Sequence, residues 1–250
     1  MNFKNVMGGD DSMPKIQKDF EFDATSVARA HAAGKKCFFN LVIIDESGSM
    51  TSIYKQALDG LNETLNTIRT SQKEDETQQH FVTLLAFDSN HLRYIYNGTP
   101  AEKTGVITEK QYRPGGCTPL YDAMGVTIND LRTRVSDDDF AVVTIITDGE
   151  ENSSVEYTGE MVKALVDELR QKGWTFSYLG ANQDVERVAA DLCIDNCMPF
   201  SADKEGVQTM WEKERKGRKA YYKQMTFLSS AQRRCAALKR SSKYFNPDED

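Results

Sequence analysis

At 250 residues, 39% hydrophobic and 10% aromatic, the chain suits one large domain with extensions and can build a sizeable core, which excludes global disorder. Its formal net charge of −7 is unevenly spread: between Asp203 and Lys243 twelve Lys and Arg face four acids, a local balance of +8 on an otherwise acidic chain. No apolar run approaches the ~18 residues of a membrane span, and MNFKNVMGGDDS lacks a signal-peptide core, so a cytoplasmic protein without membrane contact is expected.

Residues 1–22 read as a polar lead-in with Gly-Gly, Asp-Asp and a Pro. Asp23 or Thr25 caps a short helix that runs to Ala33 and stops at Gly34. CFFNLVIID (37–45) is a continuous apolar run of the kind found in strands buried on both faces. From Thr51 to Thr70, Ile53, Ala57, Leu58, Leu61, Leu65 and Ile68 recur at helical spacing. SQKEDETQQ (71–79) reads as a charged surface loop. FVTLLAFD (81–88) and HLRYIYNG (91–98) are strand-like and separated only by Ser89-Asn90, which predicts an antiparallel hairpin.

After Pro114-Gly115-Gly116 the pattern predicts a helix over 120–134, then an Asp137–Asp139 loop and a third apolar strand, FAVVTIITD (140–148). A helix over 161–171 ends at Gly173. A strand over 174–181, a helix over 185–192 and a brief strand MPF (198–200) follow. Residues 203–240 read as helix, with Val207, Trp211, Tyr221, Met225 and Leu228 partly periodic and Gly217 a weak point. Its basic run reads as a solvated helix that docks back on the acidic domain. The alternation predicts an α/β fold: a doubly wound, mostly parallel central sheet with one antiparallel edge strand and helices on both faces. The segments are a 1–36 lead-in with a short helix, a 37–202 central domain and a 203–250 basic helical extension.

Ligands of such sheets bind beyond the carboxyl ends of the strands. Three polar clusters fall there: DESGS closing 37–45, PGGCTPLYD entering the helix at 120, and TDGEEN closing 140–148. They offer Asp45, Ser47 and Ser49, then Thr118, then Asp148. Two carboxylates and three neutral hydroxyls suit a hard divalent cation and leave it electrophilic enough to take an outside carboxylate. Gly48 permits the turn that brings i, i+2 and i+4 inward. Singly, Ser47, Ser49 and Thr118 read equally well as helix caps and Asp148-Gly149 as a turn; together those readings leave the convergence unexplained. Glu46, Glu150 and Glu151 read as solvated loop acids, with tuning of cation uptake as the sharper alternative. Asp122 reads as a first-turn helix residue rather than one that orients a metal-bound water.

Asp45-x-Ser47-x-Ser49, Thr118 in GG-x-T-P-L and Asp148 in a strand-end T-D-G resemble the metal-ion-dependent adhesion site (MIDAS) of von Willebrand factor A (VWA) domains. All five positions match, and the resemblance spans residues 37–202. One departure is Cys117, where many relatives carry Gly; it places an oxidisable thiol beside the threonine. The resemblance implies a VWA, Rossmann-like fold with a complete MIDAS, of the bacterial cytoplasmic type. Ser47, Ser49 and Thr118 would then contact the metal directly, and Asp45 and Asp148 directly or through water. The ion would be Mg²⁺, or Mn²⁺ or Ca²⁺, and a partner protein's Glu or Asp would complete its shell. The implied function is a non-catalytic interaction module, with association with an ATPase among the settings open to it.

Three rival functions compete with this reading. A Mg²⁺-dependent phosphatase could use Asp45 as nucleophile, but the acid normally found two residues on is Ser47 here. A serine hydrolase lacks a G-x-S-x-G elbow. Nucleic-acid binding could use Trp211, Tyr221 and Tyr222 amid the basic 203–243 region, against the acidity of the whole chain. Five cysteines (37, 117, 193, 197, 235) read mostly as reduced core thiols. Cys193-x3-Cys197 finds no second Cys or His pair, and the histidines (31, 80, 91) are scattered, which argues against zinc.

Overall fold

Side-chain alternation along the apolar runs decides how the layers stack. Along residues 37–44, Phe38, Val42 and Ile44 enter one core cluster while Cys37, Phe39, Leu41 and Ile43 enter another, the period of two that puts neighbours on opposite faces of a sheet. A computed structural model describes residues 13–181, 184–229, 231–232 and 244–245. Its strands are β1 (Lys15–Lys18), β2 (Lys36–Asp45), β3 (Gln78–Phe87), β4 (His91–Pro100), β5 (Phe140–Thr147), β6 (Thr175–Gly180) and β7 (Asn196–Pro199). Its α-helices are α1 (Ala24–Ala32), α2 (Tyr54–Glu74), α3 (Leu120–Arg132), α4 (Gly159–Gln171), α5 (Val185–Asp191) and α6 (Lys204–Thr226).

The seven strands lie in the order β1-β4-β3-β2-β5-β6-β7. All pairs are parallel except β3–β4. Helices α2 and α6 cover one face, and α1, α3, α4 and α5 the other. The expected doubly wound, mostly parallel α/β fold is therefore what forms. Its antiparallel strand, however, lies one place in from the edge, because β1 pairs with β4. All four β1 residues are exposed, so KIQK carries no apolar alternation and could not be read from pattern; its two lysines also blunt the sheet edge. SQKEDETQQ is no loop: α2 runs through Glu74 and β3 begins at Gln78. Polar residues of that stretch are satisfied internally, as when Gln72 Oε1 accepts from His80 N–H at 2.8 Å. Among the described residues no helix is long and apolar enough to cross a membrane.

Helix α6 is fastened to the sheet by buried polar groups. Arg218 and Glu214 are both fully buried and paired at 2.6 Å, with Arg218 also donating to Asn40 of β2 and Thr144 of β5. Gly217 is a close approach rather than a weak point, since a Cβ there would fall on the carbonyl of Tyr244. The predicted helix beyond Thr226 is not continuous, as Phe227 leaves it, and residues 233–243 lie outside those described.

His80 sits in the same buried region, stacked on Phe38, edge-on to Tyr222 and with Nε2 2.7 Å from Gln78 Oε1. Burial, reinforced by Arg218 and opposed by Asp75, pushes its pKa down to about 3. The unfolded chain, at 6.5, therefore binds a proton that the folded chain refuses between those values. The contribution should be complete above pH 6.5 and drain away as pH falls toward 3, by up to roughly 5 kcal/mol. Urea unfolding across that range should show a shallower pH slope for His80→Gln than for the wild type.

Candidate metal centre

The strand order reverses direction at β2, from which the chain moves first to β3 and later returns to β5. The crevice at the carboxyl ends of β2 and β5 is thus the switch point where such sheets bind ligands. DESGS leaves β2 and TDGEEN leaves β5 at that place, since Ile44 pairs with Ile146 in register. The loop before α3 is tied to them by backbone: Gly115 N–H donates to Glu46 O at 2.7 Å, and Gly48 N–H to Gly116 O at 3.1 Å.

The five expected residues come together. Ser47 Oγ lies 3.1 Å from Ser49 Oγ, and Ser49 Oγ donates to Asp148 Oδ1 at 2.6 Å. Asp45 accepts from Ser47 N–H at 2.7 Å through Oδ1 and from Thr147 Oγ1 at 2.6 Å through Oδ2. Thr118 joins through one telling measurement. A methyl built on Gly149 would stand 3.4 Å from Thr118 Oγ1, 3.6 Å from Ser49 Oγ and 4.0 Å from Asp45 Oδ2. Oxygens of the first two loops therefore converge on one small space that Gly149 of the third leaves open, with Asp148 joined to them through Ser49. Asp45, Ser47, Thr118 and Asp148 are buried while Ser49 is exposed, so the cluster has a dry floor and an open mouth.

Burial pushes Asp45 up to about 6; bonds from Thr147 and Ser47 pull the other way, and Asp148 adds repulsion. Burial likewise raises Asp148, against the bond from Ser49. Withdrawing two neighbouring carboxylates from water makes their charged forms costly, and a cation between them would offset that cost. A donor set of carboxylate and hydroxyl oxygens fits a hard divalent ion.

No family model and no curated protein matches the chain. Solved structures do. The SpRpn10 VWA domain superposes with a TM-score of 0.51 at 10% identity, covering 72% of this chain and 94% of that one. The fold is that of VWA domains. The pilus adhesin SpaC from Lactobacillus rhamnosus GG gives 0.51 at 14% identity over 73% of this chain and 30% of its own. The PilB minor pilin from Streptococcus sanguinis gives 0.50 at 14% identity over 74% and 62%, so this chain spans under two thirds of that protein.

Several supports of this site escape motif reading. Thr147, the T of T-D-G, holds Asp45, and Tyr112 donates its hydroxyl to the Asp45 carbonyl at 2.9 Å. Asn152 accepts from Thr118 N–H at 2.9 Å. Nor are the extra acids alike. Glu46 is buried, bonded to Arg93 at 2.8 Å and to the Arg113 N–H, which corrects its reading as a solvated acid. Glu151 folds its loop by accepting from Tyr121, Ser153 and Ser154, whereas Glu150 is exposed. Asp122 stands in the first turn of α3, yet its carboxylate accepts from three N–H groups at Val155, Glu156 and Tyr157. Cys117 is exposed next to Thr118.

Gly149→Ala should leave the fold intact, as no contact of its methyl is under 3.4 Å, while filling the space the oxygens surround. Isothermal titration should show Mg²⁺ affinity lower by about tenfold or more, a loss of ~1.4 kcal/mol.

Proposed function

We propose that the chain is a non-catalytic, divalent-cation-dependent protein-interaction module. Asp45, Ser47, Ser49, Thr118 and Asp148 would hold Mg²⁺, or Mn²⁺ or Ca²⁺, and a partner's Asp or Glu would bind at the open mouth. The convergence of Thr118, Ser49 and Asp45 oxygens beside Gly149 is the observation that carries this reading. When bound, the cation supplies electrostatic attraction for a carboxylate; the protein supplies fixed oxygens and a rigid sheet beneath them.

Further features support recognition over catalysis. Both Asp45 oxygens are engaged and the residue is fully buried, which makes it a poor nucleophile for phosphoryl transfer. His91 is held near Asp88, and among the described residues no hydrogen bond joins it to Ser47 or Ser49. Beside Glu46 opens a cavity of about 490 Å³ whose walls mix Arg93, Lys110 and Arg113 with Asp19, Glu46 and Asp88, a mixed-charge lining with room for a polar segment beside the site. Trp211, Tyr221 and Tyr222, the aromatic groups a nucleic acid would stack on, are buried in the core beneath α6.

The test is capture of binding proteins by immobilised full chain in Mg²⁺, repeated in EDTA and with Asp45→Ala. A partner released by both treatments is the expected result. A partner retained equally through both would overturn the metal-bridge reading.

A further inference from the structure

The opposite end of the sheet holds a second cluster of ligand atoms. Cys37 is the second residue of β2 and Asp139 immediately precedes β5; because Phe38 pairs with Phe140, the two residues stand side by side. His31, in the last turn of α1, reaches over them with Nε2 2.7 Å from Asp139 Oδ1. The His31 nitrogen, Cys37 sulfur and an Asp139 oxygen all lie within 4.8 Å of one another. We propose that His31, Cys37 and Asp139 form a second metal site, for Zn²⁺ or a similar borderline-soft cation, that pins α1 to the sheet.

The donor set is one thiolate, one imidazole and one carboxylate, the mixture zinc prefers and a hard ion such as Mg²⁺ does not. Tetrahedral zinc with ligands at about 2.0–2.3 Å places ligand atoms roughly 3.3–3.8 Å apart. The present spread closes to that by a small rotation of His31, whose side chain is 41% exposed and free to adjust. The carboxylate is already oriented: its other oxygen accepts from both the N–H and the hydroxyl of Ser136 at 2.8 Å, the outer support that metal-binding carboxylates use. Water or a small anion would take the fourth position on the exposed His31 side. Binding replaces the Cys37 S–H bond by a sulfur–zinc bond and releases one proton to solvent; His31 enters neutral and Asp139 as carboxylate. Burial pushes the Cys37 thiol up to about 12, which excludes a free nucleophilic thiolate but not a thiol deprotonated by the ion itself. The plainer alternative is an ion pair, His31–Asp139, lying over an inert core thiol.

Co²⁺ distinguishes the two. The full chain, freed of metal with chelator, is titrated with Co²⁺ in excess Mg²⁺ that occupies the carboxyl-end site. A sulfur-to-cobalt charge-transfer band saturating at one ion per chain is expected. It should vanish in Cys37→Ser, need about tenfold or more cobalt in His31→Gln, and persist in Asp45→Ala. A wild type without the band, or a band that survives Cys37→Ser or is lost in Asp45→Ala, would overturn the site. If Cys37→Ser does not fold, His31→Gln, altered at a half-exposed position, decides: an unshifted cobalt titration there refutes the proposal.

Discussion

Glu214→Ala is expected to lower folding stability by about 3–5 kcal/mol and Tm by about 10 °C, a larger loss than any surface substitution on α6. The cause is what remains behind. Arg218 is fully buried, and Glu214 offsets the cost of holding its charge there through contacts at 2.7 Å to Nε and 2.6 Å to Nη2. Burial by itself works against the guanidinium charge; Glu214 outweighs it and keeps the group firmly protonated. Truncating the acid strands the cation, whereas Glu214→Leu combined with Arg218→Met removes both charges and should recover most of the loss. Chemical denaturation of the two variants checks this; a double variant no better than the single one would mean that the charges themselves are needed.

Asp122→Ala should cost a comparable amount, about 3–5 kcal/mol, and should weaken cation binding as well. Its carboxylate accepts at 2.8–2.9 Å from three consecutive backbone N–H groups at 155–157, charge-assisted bonds worth ~1.5–3 kcal/mol each before relaxation. The segment so anchored begins at Asp148–Gly149 and includes Asn152, which positions Thr118. Had Asp122 only faced the N-terminus of α3, its loss would be worth ~0.3–1 kcal/mol and would leave the metal centre untouched. Denaturant titration together with Mg²⁺ calorimetry separates these outcomes.

The buried strands, the hairpin and the three convergent loops were legible because each rests on local signals: continuous apolar runs, two-residue spacing, and oxygen-bearing side chains where strands end. β1 was not legible, since it pairs through backbone alone and its four side chains face solvent. The site's five ligand candidates were legible in motif form, but the groups that hold them were not. Thr147 and Tyr112 act on Asp45 across 102 and 67 residues of sequence, a link no local pattern carries. Glu46 shows the same limit from the other side: an acid in a polar loop looks solvated until Arg93, from a different strand, is seen closing over it. The basic C-terminal region was legible as a helix docked on its own domain, but not the face it buries, because charge counts do not tell a buried Arg218 from an exposed Lys213.

Whether the DESGS, GGCTP and TDG loops hold one divalent cation is tested most simply by direct titration of metal-free full chain with Mg²⁺ or Mn²⁺. With the proposed second site removed by Cys37→Ser, one hard cation should bind per chain, and at about 100 times Kd it should stabilise the fold by ~2.7 kcal/mol. Both binding and stabilisation should disappear in Asp45→Ala. A chain that binds no such cation, or that binds it equally well as Asp45→Ala, would contradict the account.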